Sequence, residues 1–216
     1  VDDDVQDRLV EAAHAVAAAG LTDAFGHLSL RTSPGAFTIT PPTPLGGLTG
    51  AGPFASVALD ADELPAAAPK EAWIHVALLA EQPDTGAVCR AQPPKLAAFA
   101  ALGRELLALN GHAAMLGRVA VHDDSRLVRD AEGGAAVARS AGQADAIILR
   151  GNGAVTRGRD LAQAVARMWL LERTAELNLR ALAAGKPHAL PLDERAWWRD
   201  RSDELLPRIY RHLVTL

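Results

Sequence analysis

Glu71 and His75 stand four residues apart, just after Pro69-Lys70, where the pattern predicts a helix start. That spacing puts a carboxylate and an imidazole on one helix face, with the carboxylate in the first turn, where the helix dipole favours its charged form. Such a pair suits proton transfer. His27 and Ser29 alternate along a predicted strand and share a face, which makes both candidates to line a pocket, with His27 orienting a substrate oxygen. A backbone-bonded ring in a Gly26-His27 turn is an equal reading of His27. In a second predicted strand Arg90 and Gln92 take one face and Cys89 the other. Asn152 lies in Gly151-Asn152-Gly153, a tight turn by composition, since asparagine and glycine tolerate left-handed backbone. His27, His75, His112 and His122 lack the spacing of a metal site, and a hydrogen-bonded structural role is the simpler reading of each.

The elements that must position these residues follow from periodicity. Apolar residues from Asp3 to Ala19 form a helical stripe ending at Gly20. Segments 28–31 and 37–40 read as a hairpin about Ser33-Pro34-Gly35. The Pro- and Gly-rich run 41–53 reads as a mobile surface loop inside the domain, because strand-like sequence resumes at 56–59. Then come a helix over 71–81, a strand over 86–91, a helix over 94–108, a strand over 118–122, a helix over 131–141 and strands over 144–150 and 154–156. Two long helices, over 161–184 and 193–214, close the chain. The order is mixed α/β.

With 216 residues, 49% of them hydrophobic, the chain fills one core, and a single domain over residues 1–216 is expected. A formal net charge of −4 supplies no basic field for nucleic acid or anionic lipid, so neither is an expected partner. The start, Val1-Asp2-Asp3-Asp4, is acidic rather than basic and then apolar, and no apolar run is long enough to span a bilayer. A soluble, cytoplasmic protein is expected. Cys89 is the one cysteine, which excludes an intrachain disulfide and any multi-thiolate zinc site.

Four segments, in order, resemble the class II aldolase/adducin family. Gly26-His27-Leu28-Ser29-Leu30-Arg31 is similar to its early Gly-Asn/His-x-Ser-x-Arg motif. Pro69-Lys70-Glu71 with His75 is similar to the helix start that carries its catalytic glutamate. The run from Pro83 to Pro94 is similar to the segment that normally ends in His-x-His-Pro, and Gly151-Asn152-Gly153 to the turn that usually holds a histidine between its glycines. The resemblance implies an α/β/α sandwich around a mainly antiparallel sheet, assembled as a homotetramer with sites where subunits meet.

In the family's metal-dependent members three imidazoles hold a divalent ion. By position this chain supplies Arg90, Gln92 and Asn152 instead, a permanent cation and two amides. Arginine has no lone pair and repels a cation, so the resemblance implies no metal and no cofactor here. Glu71, His75 and Arg90 become the catalytic candidates, with Arg90 stabilising developing negative charge. His27, Ser29, Arg31, Lys70, Gln92 and Asn152 become the substrate-binding candidates. Arg31, Lys70 and Arg90 suit a carboxylate, although ordinary surface charge is the simpler reading of Arg31 or Lys70 alone. Pro69-Lys70 replaces the small hydroxyl residues that help bind phosphate in the sugar-phosphate aldolases, which disfavours a phosphorylated sugar. Tyr210 is a candidate proton donor to a neighbouring subunit's site, while Trp198, Leu205, Ile209 and Leu213 form a packing stripe.

The expected function is a metal-independent enzyme of the lyase, decarboxylase or isomerase type, acting on an aromatic or keto carboxylic acid. The alternative is a catalytically inactive, adducin-like interaction or scaffolding protein, in which an Arg90–Glu71 ion pair is left behind after catalysis was lost.

Overall fold

A computed structural model describes residues 2–216. The first helix, α1 (Asp3–Ala18), is capped by the Asp2 side chain, which accepts from the Asp4 amide, and it buries Leu9, Ala12, Ala13 and Val16 along one stripe. Strands β1 (His27–Ser33) and β2 (Ala36–Ile39) form the expected hairpin, and β3 (Ala55–Ala58) follows. Next come α2 (Ala72–Glu81), β4 (Ala87–Ala91), α3 (Pro94–Ala100), α4 (Gly111–Met115), β5 (Val119–His122), α5 (Ala131–Ala141), β6 (Ala146–Leu149) and β7 (Ala154–Gly158). The chain closes with α6 (Leu161–Ala184), α7 (Leu192–Arg199) and α8 (Ser202–Leu213).

The strands make one seven-stranded sheet in the order β3-β2-β1-β4-β7-β6-β5, antiparallel except for β5 with β6. Alternation along the strands gives the sheet two apolar faces. Leu28, Cys89 and Ala91 join α1, α3 and α6 in one core layer. Phe37, Val88, Ile147 and Val155 join α2 and α5 in the other. This is the expected α/β/α sandwich around a mainly antiparallel sheet.

Three expectations need correction. The helix expected over 94–108 stops at Ala100, because Gly103 turns the chain with φ 60° and the Asn178 side chain then bonds the Leu107 amide and carbonyl. Helix α4 follows, started by Asn110, whose side chain accepts from the Ala113 amide. The last helix is two, because α7 packs on α4 while α8 packs on α6, and the chain turns between them at Asp200-Arg201. The loop over 41–53 is anchored rather than loose: Leu45 and Leu48 are buried against α1, and Leu45–Gly47 forms a 3-10 turn.

Candidate active site

Strand pairing brings the candidates together. In the β1–β4 register His27 stands opposite Arg90, and β4 in turn pairs with β7, so that the β6–β7 turn lays Asn152 beside Arg90 and Gln92. The N-terminus of α2 then sets Glu71 over the same sheet face. Glu71 is the residue flanking the helix rather than part of its first turn, and its side chain caps no backbone amide. It turns toward the sheet instead.

The result is a connected polar cluster. Arg90 Nη2 donates to Glu71 Oε2 at 3.0 Å and to Asn152 Oδ1 at 2.7 Å. Asn152 Nδ2 donates to Glu71 Oε1 at 3.0 Å, and Gln92 Nε2 donates to Asn152 Oδ1 at 3.1 Å. Among the described residues Arg90 Nη1 and Nε make no hydrogen bond, although the side chain is only 2% exposed. His27 Nε2 lies 3.8 Å from Glu71 Oε2, too long for a hydrogen bond. Behind His27, its Nδ1 and His75 Nε2 share a 2.7 Å hydrogen bond, and His75 Nδ1 and Ser29 Oγ share another of 2.7 Å.

Burial pulls against ionisation throughout this cluster. It pushes the Glu71 carboxyl up, but the His27 ring, the Arg90 charge and the Asn152 amide outweigh it and hold the pKa below its ordinary value. Burial also lowers His27, with Glu71 opposing and Arg90 reinforcing the effect. It drives His75 well down, helped by His27 and Arg90. Both rings are therefore neutral at pH 7. Arg90 is lowered by burial and supported by Glu71, and a guanidinium keeps its proton at any pH the fold survives.

A cavity of about 330 Å³ opens onto the cluster. His27, Lys70, Glu71, Arg90, Gln92 and Asn152 line it, as the sequence led one to expect. Its walls also include Phe25, Leu127 and Arg129, which sequence reasoning missed. Phe25 and Leu127 are 67% and 51% exposed, so both apolar side chains stand open at the mouth. Arg129 belongs to the irregular stretch between β5 and α5, where no period says which way a side chain faces. The one available signal was its charge. Neither Arg129 nor Lys70 makes an ion pair among the described residues, so the lining carries three cations against the single carboxylate of Glu71.

Other candidates lie elsewhere. His75 and Ser29 are fully buried behind His27 and do not line the cavity. Arg31 was expected at the substrate and is not there: its Nε donates to the Thr85 carbonyl, Nη2 to Leu79 and Nη1 to Pro34, so it ties the end of α2 to the hairpin. Tyr210 donates its hydroxyl to Glu11 on α1, and burial followed by Glu11 raises its pKa. It takes no part in the cavity of its own subunit. Cys89 points to the opposite face of the sheet, where burial pushes its thiol up to about 12.

The donor set does not fit the family's divalent ion. A guanidinium sits at its centre, and the Asn152 amide oxygen already accepts from Arg90 and Gln92. Among the described residues no three His, Cys, Asp or Glu side chains are grouped to hold a metal.

The β6–β7 turn that delivers Asn152 depends on Gly153. Its φ is 78°, and an added Cβ would lie 2.3 Å from the Ala91 carbonyl oxygen and 2.9 Å from Gln92 Cα. Gly153→Ala is expected to cost roughly 2–5 kcal/mol from backbone strain plus the clash with β4. Urea unfolding checks this, and a loss below about 1 kcal/mol would mean that the turn relaxes freely.

Residues 7–179 match the class II aldolase and adducin N-terminal domain family, and the chain belongs to it. It is 32% identical over 124 residues to 3,4-dihydroxyphthalate decarboxylase of Arthrobacter keyseri, covering 55% of this chain and 50% of that protein. To the 5-methylthioribulose-1-phosphate/5-deoxyribulose-1-phosphate aldolase of Rhodospirillum rubrum it is 33% identical over 134 residues, 58% of each chain. The chain thus spans between half and three fifths of the length of these two relatives. In fold it is similar to the L-fuculose 1-phosphate aldolase of Glaciozyma antarctica, with a TM-score of 0.82 at 21% identity over 98% of this chain and 88% of that one. No helix among the described residues is long and apolar enough to cross a membrane.

Proposed function

We propose that this chain is a metal-independent lyase, most simply a decarboxylase, of an aromatic or keto carboxylic acid. The observation that carries the reading is the Arg90 guanidinium, buried where the resemblance expects a metal and anchored through Nη2 with Nη1 uncommitted. Lys70 and Arg129 at the mouth suit substrate carboxylates, and Phe25 and Leu127 suit an apolar body between them. The decarboxylase relative acts on an aromatic acid of this kind.

In this reading Glu71, held ionised, takes a proton from a substrate hydroxyl near the scissile bond. As the hydroxyl oxygen's electrons move into the ring, Glu71 delivers that proton to the carbon that bears the carboxylate. The carbon–carbon bond then breaks, carbon dioxide leaves, and the bonding pair restores the ring with the negative charge on the former hydroxyl oxygen near Arg90, which leaves the enzyme unchanged. A cytoplasmic homotetramer completes the proposal. The second reading is a scaffolding protein, favoured by the direct Arg90–Glu71 pair, which closes on itself without a ligand.

Thermal denaturation with phthalate separates the two. A ligand at 100 times its Kd adds about 2.7 kcal/mol, roughly 5–10 °C for a chain of this size. Phthalate is expected to raise Tm by this order and benzoate by less, with both shifts reduced in Lys70→Ala/Arg129→Ala. No shift with phthalate, benzoate or keto acids favours scaffolding. Metal analysis tests the other half: EDTA is expected to leave Tm unchanged, and stoichiometric zinc, iron or manganese at Arg90, Gln92 and Asn152 would sink the metal-independent reading.

A further inference from the structure

We infer that His27 works as a neutral hydrogen-bond donor and not as a base, because Ser29 and His75 lock its imidazole in the tautomer whose Nε2–H faces ligand in the cavity. Ser29 is fully buried, and its hydroxyl has one contact among the described residues, His75 Nδ1 at 2.7 Å. A buried hydroxyl hydrogen needs an acceptor, so Ser29 donates and His75 Nδ1 accepts. A neutral imidazole that accepts at Nδ1 carries its proton on Nε2. His75 Nε2–H therefore donates to His27 Nδ1, 2.7 Å away. By the same rule His27 carries its proton on Nε2.

The opposite direction fails twice. It strands the Ser29 hydrogen with no acceptor, and it aims the His27 Nε2 lone pair at the Glu71 carboxylate oxygen 3.8 Å away. The preferred direction leaves one buried donor unspent. Among the described residues His27 Nε2 has no hydrogen-bond partner, the residue is 5% exposed, and its ring lines the cavity beside Glu71 and Arg90. An uncommitted buried N–H facing a cavity is a preorganised site for a ligand oxygen that gains negative charge.

The chain of three ends at Ser29, which is closed to solvent, so a proton driven inward has no exit. Orientation is what the chain supplies, and proton conduction is not. His75 and Ser29 are positioning residues, and His27 is the catalytic one, in the sense that rests on the lyase reading above. Proton transfer then falls to Glu71 alone.

Long-range proton–nitrogen correlation on the full chain labelled with [15N]histidine tests this without any substrate. His27→Gln and His75→Gln identify the two rings among seven histidines. At pH 7 both rings are expected to show an unprotonated Nδ1 and a protonated Nε2. An Nδ1–H form of His27, or an imidazolium, overturns the inference. Ser29→Ala is expected to release His75 into mixed tautomers and Ser29→Thr to restore the lock, and unchanged tautomers in Ser29→Ala overturn it too. If Ser29→Ala does not fold, the wild-type spectrum decides alone. Failure of phthalate to bind bears on the substrate class, whereas the ligand-free spectrum bears on the tautomer, so the two readings fail separately.

Discussion

Arg90→Met is expected to destabilise the chain by about 3–5 kcal/mol at neutral pH, and adding Glu71→Gln is expected to return most of that loss. The reason is desolvation. The Glu71 side chain is only 13% exposed, and among the described residues Arg90 is its one permanently cationic partner. Without the guanidinium, burial is opposed only by Asn152 and a neutral His27, and an ionised carboxylate is left inside the fold. The double variant places neutral groups at both positions and removes the penalty along with the attraction.

Acid should relieve the single variant. In the wild type the carboxyl pKa of Glu71 is lowered on folding, so its contribution is present above the ordinary carboxylate range and is lost as pH falls through the folded value. In Arg90→Met the folded pKa is expected to move above the ordinary value, which reverses the sign. The deficit is then full at pH 7 and shrinks as acid protonates Glu71. Urea unfolding at pH 7 and pH 5 reads both effects. A loss below about 1 kcal/mol that does not change with pH would show that the pair is uncoupled.

This coupling was half legible in the sequence. Strand alternation put Arg90 and Gln92 on the face opposite Cys89, and the structure keeps them there, because period-two geometry leaves no other choice once β4 is inside the sheet. The four-residue spacing of Glu71 and His75 put both on one helix face, but said nothing of their depth. One helical turn carries His75 beneath the cavity floor, and only packing shows which residue reaches the opening. Arg31 failed for a different reason. It shares β1 with His27 and Ser29 but lies beyond them, next to the bulge between Arg31 and Ser33 and the carbonyls at the end of α2. Nothing local signals those acceptors. The break between α7 and α8 was equally hidden, because both halves keep helical patterning and the turn is dictated by the two helices they pack against.

Glu71→Gln alone is expected to lower turnover of a hydroxylated aromatic acid by about 10²–10⁴-fold while leaving binding of phthalate nearly intact. Glutamine keeps the length of the side chain but only one oxygen, which can accept from the Arg90 guanidinium or from the Asn152 amide and not from both, so the variant also loses some stability, read by its own urea unfolding, while its side chain still fills the same wall of the cavity. What disappears is the group that accepts and returns the proton. The net charge of the lining also becomes one unit more positive, so anionic ligands should bind as well or slightly better. A fall in kcat with KM unchanged or lower therefore identifies proton transfer as the lost step, since removal of a uniform binding contact would raise KM at constant kcat. Carbon dioxide release from 3,4-dihydroxyphthalate or a related acid supplies the rate, and thermal shift with phthalate supplies the binding. Retention of full turnover in Glu71→Gln would remove the carboxylate from the chemistry. Arg90 would then remain as an electrostatic element without its proton-transfer partner, and the Arg90–Glu71 pair would be explained by folding alone.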